Sequence, residues 1–232
     1  GGTVFGAAEK MRKALEEFAS SVLFRGEPVT LTDSVFRGQY SGQERSFDEV
    51  AHAHLKERGP LRLYHQFQLP ASIKWDQKTF RGDSYPTYAW GCNVAEVEVD
   101  PQTLEIQVKR VVSCWDIGRL INPVLAKGQV EGGLTQALGY ALLEKMSIKD
   151  GLYDASRMQT YVVPTALDVP ELEVHFIEYP YTHVAPGAKG VGEIPMDGLA
   201  SAIANAVYAA TGVRLNDLPL TPEKLLAKMC HE

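Results

Sequence analysis

Near the start of the chain, apolar residues recur at alternating intervals of four and three: Val4, Ala8, Met11, Leu15, Phe18 and Val22. That spacing is one face of an α-helix, with Lys10, Lys13, Glu16 and Glu17 on the wet side. Residues 28–40 alternate weakly and predict short strands, and Tyr-Ser-Gly-Gln at 40–43 predicts a turn. Ser46 with Glu49 three residues on is a capping box, so a second helix is expected from there to Arg58, where Gly59-Pro60 stops it. Leu61 to Leu69 alternates apolar with polar positions and predicts an extended segment.

Two further strands follow. Ala95, Val97 and Val99 share one face, Leu104, Ile106 and Val108 another, and Asp-Pro-Gln-Thr at 100–103 supplies the turn of a β-hairpin. The second strand continues through Val111 and Val112 towards a loop that ends at Pro123, a residue suited to the first position of a helix. That helix, expected over 123–146, is the longest. Val130, Leu134, Leu138 and Leu142 form its apolar stripe, while Gln129, Gly133, Gln136 and Tyr140 lie on another side. Such a side admits a polar ligand; equally, Gly132, Gly133 and Gly139 permit a close helix crossing. Residues 158–169 and 172–178 predict extended chain. After Pro195 a small-residue helix carries Leu199, Ile203, Val207 and Ala210 on one face and stops at Gly212, and Thr221-Pro222 caps a last helix. Helices and strands do not alternate strictly, so the expected class is α+β, with mixed sheets and packed helices, and subdomains of about 1–115 and 116–232.

Composition narrows the function classes. The 232 residues are 45% apolar and 22% charged, as in folded domains, and no apolar run reaches membrane-spanning length. A net charge of -6 without a Lys/Arg cluster disfavours nucleic acid and membrane surfaces. Cys92, Cys114 and Cys230 form neither a C-x-x-C pair nor a disulfide framework, so a structural metal is not expected and a reducing, cytoplasmic setting is. His52 and His54 stand two apart in the second helix, on different faces, and read as solvated side chains. The opening Gly-Gly-Thr-Val-Phe is neither an initiator methionine nor a signal peptide, so the chain is expected to be a piece of a longer polypeptide.

Chemistry concentrates between Pro186 and Pro195, where Pro-Gly-Ala-Lys-Gly-Val-Gly-Glu-Ile-Pro sets one acid, Glu193, in a glycine-punctuated turn before a helix. By itself this is either a loop closed around a ligand or a plain chain reversal. Gln129 and Gln136 on the long helix, and the loop with Asp116 and Arg119, are the other candidates. Gly-Ala-Lys-Gly-Val-Gly-Glu at 187–193, with Val-Ala-Glu-Val-Glu-Val-Asp at 94–100, Asp-Ile-Gly-Arg…Ile-Asn-Pro at 116–123, and Gly-Gln-Val-Glu-Gly-Gly…Gln-Ala-Leu-Gly at 128–139, resembles the molybdenum hydroxylases. These are the xanthine dehydrogenase and aldehyde oxidoreductase group, and the likeness is to the C-terminal part of their molybdopterin-binding large subunit.

The resemblance implies insertion of water-derived oxygen at an electron-poor carbon of a purine, N-heterocycle or aldehyde. Glu193 matches the family's general base, and Gln136 and Gln129 match the helix that hydrogen-bonds the pterin. Lys189, Gly190, Val191 and Gly192 are the further cofactor contacts it implies, with a structural hydrogen bond or solvent exposure as the alternative for Lys189. The implied cofactor is molybdopterin, as such or as the cytosine dinucleotide. A 2Fe-2S cluster and FAD are expected on partner domains or subunits. The family's large subunit is several times longer, and its metal-side glycine loop and most substrate-pocket residues have no counterpart here. The chain by itself is therefore expected to be inert and without molybdenum. A non-catalytic assembly module of the same fold, or a reductive member acting on an aromatic thioester, would carry the same motifs.

Overall fold

The computed structural model describes residues 1–183 and 185–230. They fall into two compact units, 1–86 with 182–186, and 87–181 with the chain from 187 on.

In the first unit, α1 (Gly2–Phe18) runs into a single π-turn, Ala19–Leu23. An antiparallel sheet follows, β1 (Val29–Thr32), β2 (Val35–Gly38) and β3 (Glu44–Ser46), and then α2 (Phe47–Arg58). The capping box is present in full. The Ser46 hydroxyl accepts from the Glu49 N–H, and the Glu49 carboxylate accepts from the Ser46 N–H at 2.7 Å, satisfying two donors that the helix end would otherwise strand. Phe18, Phe36 and Val50 are the fully buried centre. His54 belongs with them. Rather than being solvated it is buried edge-on to Phe18, with Nδ1 3.2 Å from the Gly59 carbonyl, because α2 turns this position towards α1. Residues 61–69 alternate but form no strand, having no strand to pair with among the described residues. β4 (Trp75–Asp76) and β5 (Arg81–Gly82) close the unit as a short ribbon.

The second unit is built on the expected hairpin, β6 (Trp90–Val99) and β7 (Ile106–Asp116). In its turn the Asp100 carboxylate accepts from the N–H groups of Gln102 and Thr103 at 2.7 and 2.9 Å. Leu104 sits in that turn at φ 60 and not on the strand. After α3 (Pro123–Leu142) and a small ribbon of β8 (Ile148–Lys149) and β9 (Leu152–Tyr153), β10 (Glu171–Phe176) returns parallel to β7, for a sheet order β10-β7-β6. Residues 158–169 pair in no strand; turns at 158–160 and 166–168 interrupt them. Helices α4 (Leu199–Thr211) and α5 (Pro222–Met229) complete the unit. Residue 115, the expected division of the chain, lies inside β7.

One face of this sheet is dry. Val111 and Trp115 point into it and meet Val130, Leu134 and Leu138 of α3 and Leu199, Ile203 and Val207 of α4, all nearly or wholly buried. Each such side chain contributes about 1.5–3 kcal/mol through the area it removes from water. Ala210 is exposed and lies off this stripe. Helix α3 stops at Leu142, four residues early, because the Leu143 and Glu144 N–H groups both close on the Gly139 carbonyl. The result is a rigid plate of α3 and α4, and the chain before α4 crosses it.

Candidate functional site

The glycine-rich loop is stitched to the segment that follows β7. Lys189 N–H donates to the Ile117 carbonyl at 2.7 Å and Arg119 N–H to the Gly187 carbonyl at 3.0 Å. Gly118 (φ 68) allows this approach, since a Cβ there would overlap the Gly187 carbonyl oxygen. The Lys189 ammonium sits 2.5 Å from the Asp116 carboxylate, with side chains only 4% and 13% exposed. It also lies 5.5 Å from the centre of the Tyr179 ring. Burial pushes the Asp116 carboxyl up. The hydrogen bond and charge of Lys189, with the N–H groups of Gly118 and Tyr179, outweigh it and hold the group below its ordinary value. The Lys189 ammonium is an internal counter-ion to Asp116 and is not solvent-exposed.

Helix α3 holds the loop from the other side. Gln129 Nε2 donates to the Gly192 carbonyl at 2.7 Å. Gly133 is buried with Pro195 directly over it; a Cβ at 133 would come 2.7 Å from Pro195 Cβ. Glu193 starts a single 3-10 turn, Ile194–Met196, whose Met196 N–H closes on the Glu193 carbonyl at 3.0 Å. Only after left-handed Gly198 (φ 87) does α4 begin, so Glu193 caps a one-turn bracket and not the helix itself. Its side chain is exposed and caps nothing. Gly133→Ala is expected to destabilise the chain by about 1–3 kcal/mol despite a helix-propensity gain of up to about 1 kcal/mol, because Pro195 must move. Denaturant unfolding measures it, and a neutral or stabilising result would deny the tight crossing.

The exposed side of α3 beside this bracket is bare. Gly128, Gly132 and Gln136 follow one another at four-residue spacing, and a Cβ on either glycine would meet nothing within 4 Å. Gly190 and Gly192 are equally open, and neither takes positive φ. Gln136 is exposed, and its amide makes no hydrogen bond to a described residue. Donor, acceptor and bare backbone are thus presented together, which suits a flat, polar, many-edged molecule such as a pterin. A cleft of about 300 Å³ opens alongside, lined by Arg119, Asn122, Gln129, Lys189, Val191 and Gly192. The fold brings these residues together; it does not bring Gln136 into contact with them. Among the described residues, no three His, Cys, Asp or Glu side chains gather as a metal site. No described helix is long and apolar enough to cross a membrane.

Comparison with known proteins shows which family the chain belongs to. The family described as the molybdopterin cofactor-binding domain matches residues 1–170. The chain belongs to that family. It is 41% identical over 139 residues to the xanthine dehydrogenase molybdenum-binding subunit of Escherichia coli O157:H7, covering 59% of this chain and 18% of that one. To the aldehyde oxidoreductase molybdenum-binding subunit PaoC of Escherichia coli K12 it is 38% identical over 161 residues, 68% of this chain and 21% of the relative. In three dimensions it matches quinoline 2-oxidoreductase of Pseudomonas putida 86 with a TM-score of 0.75 at 26% identity, over 97% of this chain and 29% of that one. The chain spans less than a third of the length of each.

Within this molybdopterin-binding family, the motifs at 94–100, 116–123, 128–139 and 187–193 converge on the second unit. Three residues there escaped sequence reasoning: Asn93, Ser113 and Trp115. A signal existed, because Asn93 shares the inward parity of Ala95, Val97 and Val99, and Ser113 that of Val111. A polar side chain on the apolar side of a strand needs a partner.

Proposed function

We propose that the chain is the C-terminal part of a molybdenum-dependent hydroxylase subunit. In it Glu193 is the general base for insertion of water-derived oxygen at an electron-poor carbon of a purine, N-heterocycle or aldehyde. The overall change is R–H + H2O → R–OH + 2 e⁻ + 2 H⁺. The observation that carries the reading is the bracket: Glu193 presents an exposed carboxylate, without a hydrogen-bond partner among the described residues, from a turn fixed by Gln129, Gly133 and Pro195. A proton acceptor needs that combination of rigid seat and uncommitted lone pairs.

The molybdenum carried by molybdopterin would supply, when bound, the two-electron oxidising centre. Gln136 and the uncommitted oxygen of the Gln129 amide would hold the pterin, with the backbone of Gly190, Val191 and Gly192 and the bare glycine positions of α3. Lys189 contributes through its place in the loop. Exclusion of water around Glu193 falls to the rest of the subunit. Electrons would leave through iron–sulfur and flavin partners, and the whole would be cytoplasmic. As an isolated piece the chain would be inert.

The cofactor half of this reading is tested in the intact subunit. Gln136→Ala is expected to lower the molybdenum and pterin that remain bound after gel filtration by several-fold, with the fold unchanged by circular dichroism. Full retention would make Gln136 a plain surface residue. The catalytic half is tested by the turnover of Glu193→Gln.

A further inference from the structure

A polar relay that is buried at Trp115 and Ser113 leads from the sheet to an exposed bond at the Glu193 bracket. The Trp115 indole N–H donates to the Ser113 hydroxyl at 2.5 Å. Ser113, fully buried, donates to Asn93 Oδ1 at 2.6 Å. Asn93 Nδ2 then donates to the carbonyl of Asp197 at 3.2 Å. The direction is forced: an indole nitrogen can only donate, so the Ser113 hydroxyl spends its own proton on Asn93, which leaves the Asn93 NH2 facing Asp197. Asp197 N–H closes on Ile194 and Met196 N–H on Glu193, both at 3.0 Å, so the relay ends on the turn that carries Glu193.

Neighbouring glycines are shaped around it. Gly91 lies across from Trp115, and a Cβ there would come 2.2 Å from the indole ring. At Gly198 a Cβ would stand 3.3 Å from Asn93 Nδ2. Helix α3 grips the turn through Gly192 and Pro195; Asn93 holds its far end, from the sheet. Both ends of the turn are thus held, although the Glu193 side chain itself makes no cap hydrogen bond.

We infer that Asn93 is a positioning residue for Glu193, acting through the Asp197 carbonyl, with Ser113 and Trp115 fixing its amide orientation. The inference rests on the reading of Glu193 as the base. Asn93→Asp keeps size and shape but turns an oxygen instead of an N–H towards the Asp197 carbonyl, so the far end of the turn is released. A displacement of about 1 Å costs up to about 10²-fold in a positioned reaction.

The test uses the assembled enzyme with its cofactor. Asn93→Asp is expected to lower kcat by about 10- to 100-fold, with KM within about twofold and molybdenum and pterin content unchanged. The double variant Asn93→Asp/Glu193→Gln is expected to be no slower than Glu193→Gln alone, since Asn93 acts through that carboxylate. Multiplying effects would mean a merely structural role and overturn the inference. If Glu193→Gln itself turns over normally, the base reading fails and takes this one with it. If Glu193→Gln is dead while Asn93→Asp is as fast as wild type, only the positioning role falls. Should Asn93→Asp not assemble with cofactor, Asn93→Ser, smaller and neutral, carries the same test with the same outcomes.

Discussion

Glu193→Gln in the assembled enzyme is expected to leave molybdenum and pterin content unchanged and to lower turnover by about 10²- to 10⁴-fold, the range for loss of a positioned base. The substitution is close to isosteric. The 3-10 turn is built from backbone bonds, and Glu193 enters it through its carbonyl alone. Nothing in the turn or in the grip of α3 on Gly192 and Pro195 depends on the carboxylate. Only proton acceptance is removed, so kcat and kcat/KM should fall together while the cofactor stays bound. Steady-state kinetics with metal analysis measure this. Turnover within a few-fold of wild type would remove Glu193 from the chemistry, and loss of the cofactor would make it a structural residue.

Lys189→Met is expected to cost about 3–5 kcal/mol of stability at neutral pH, the penalty for orphaning a buried charge. Asp116 would keep its N–H donors from Gly118 and Tyr179 but lose its counter-ion in a site only 13% exposed. The pH dependence checks the cause. Asp116 titrates below its ordinary value in the folded chain, so its contribution is fully present above the unfolded carboxylate pKa of about 3.9 and is lost as pH falls through the lower folded value. In Lys189→Met the ion pair is already gone, and protonation relieves the orphaned charge. The gap between variant and wild type should therefore narrow below about pH 4, as denaturant midpoints at pH 7 and pH 3.5 would show. A constant gap would assign the loss to the packing of the lysine stem.

Read from sequence, the local elements were those whose signals are local. The Ser46–Glu49 capping box, the Asp100 turn, Pro123 and Pro222 at first helical positions and Gly212 at the end of α4 all occur where expected. Each is settled by backbone conformation and short-range hydrogen bonds within a few residues. The family motifs were legible for a related reason: glycines and single acids at fixed spacing leave a mark that does not depend on what packs against them. Where the reading went astray, long-range partners were at work. Residues 61–69 alternate and 158–169 suggest extended chain, yet neither pairs with a strand among the described residues, and His54 lies on the side of α2 that Phe18 covers.

The sequence alone determined the α+β class, the four ordered motifs and the candidacy of Glu193, Gln129 and Gln136. Only the tertiary structure decided where the Lys189 ammonium goes, because its partner Asp116 is 73 residues away and burial makes an ion pair of two otherwise ordinary surface charges. The same holds for Gly133, whose missing side chain has meaning only once Pro195 is above it, and for Asn93, whose amide faces a carbonyl 104 residues on. A chain records which residues can make an interaction; which of them meet depends on how the packed sheet and helices bring distant segments within hydrogen-bond reach.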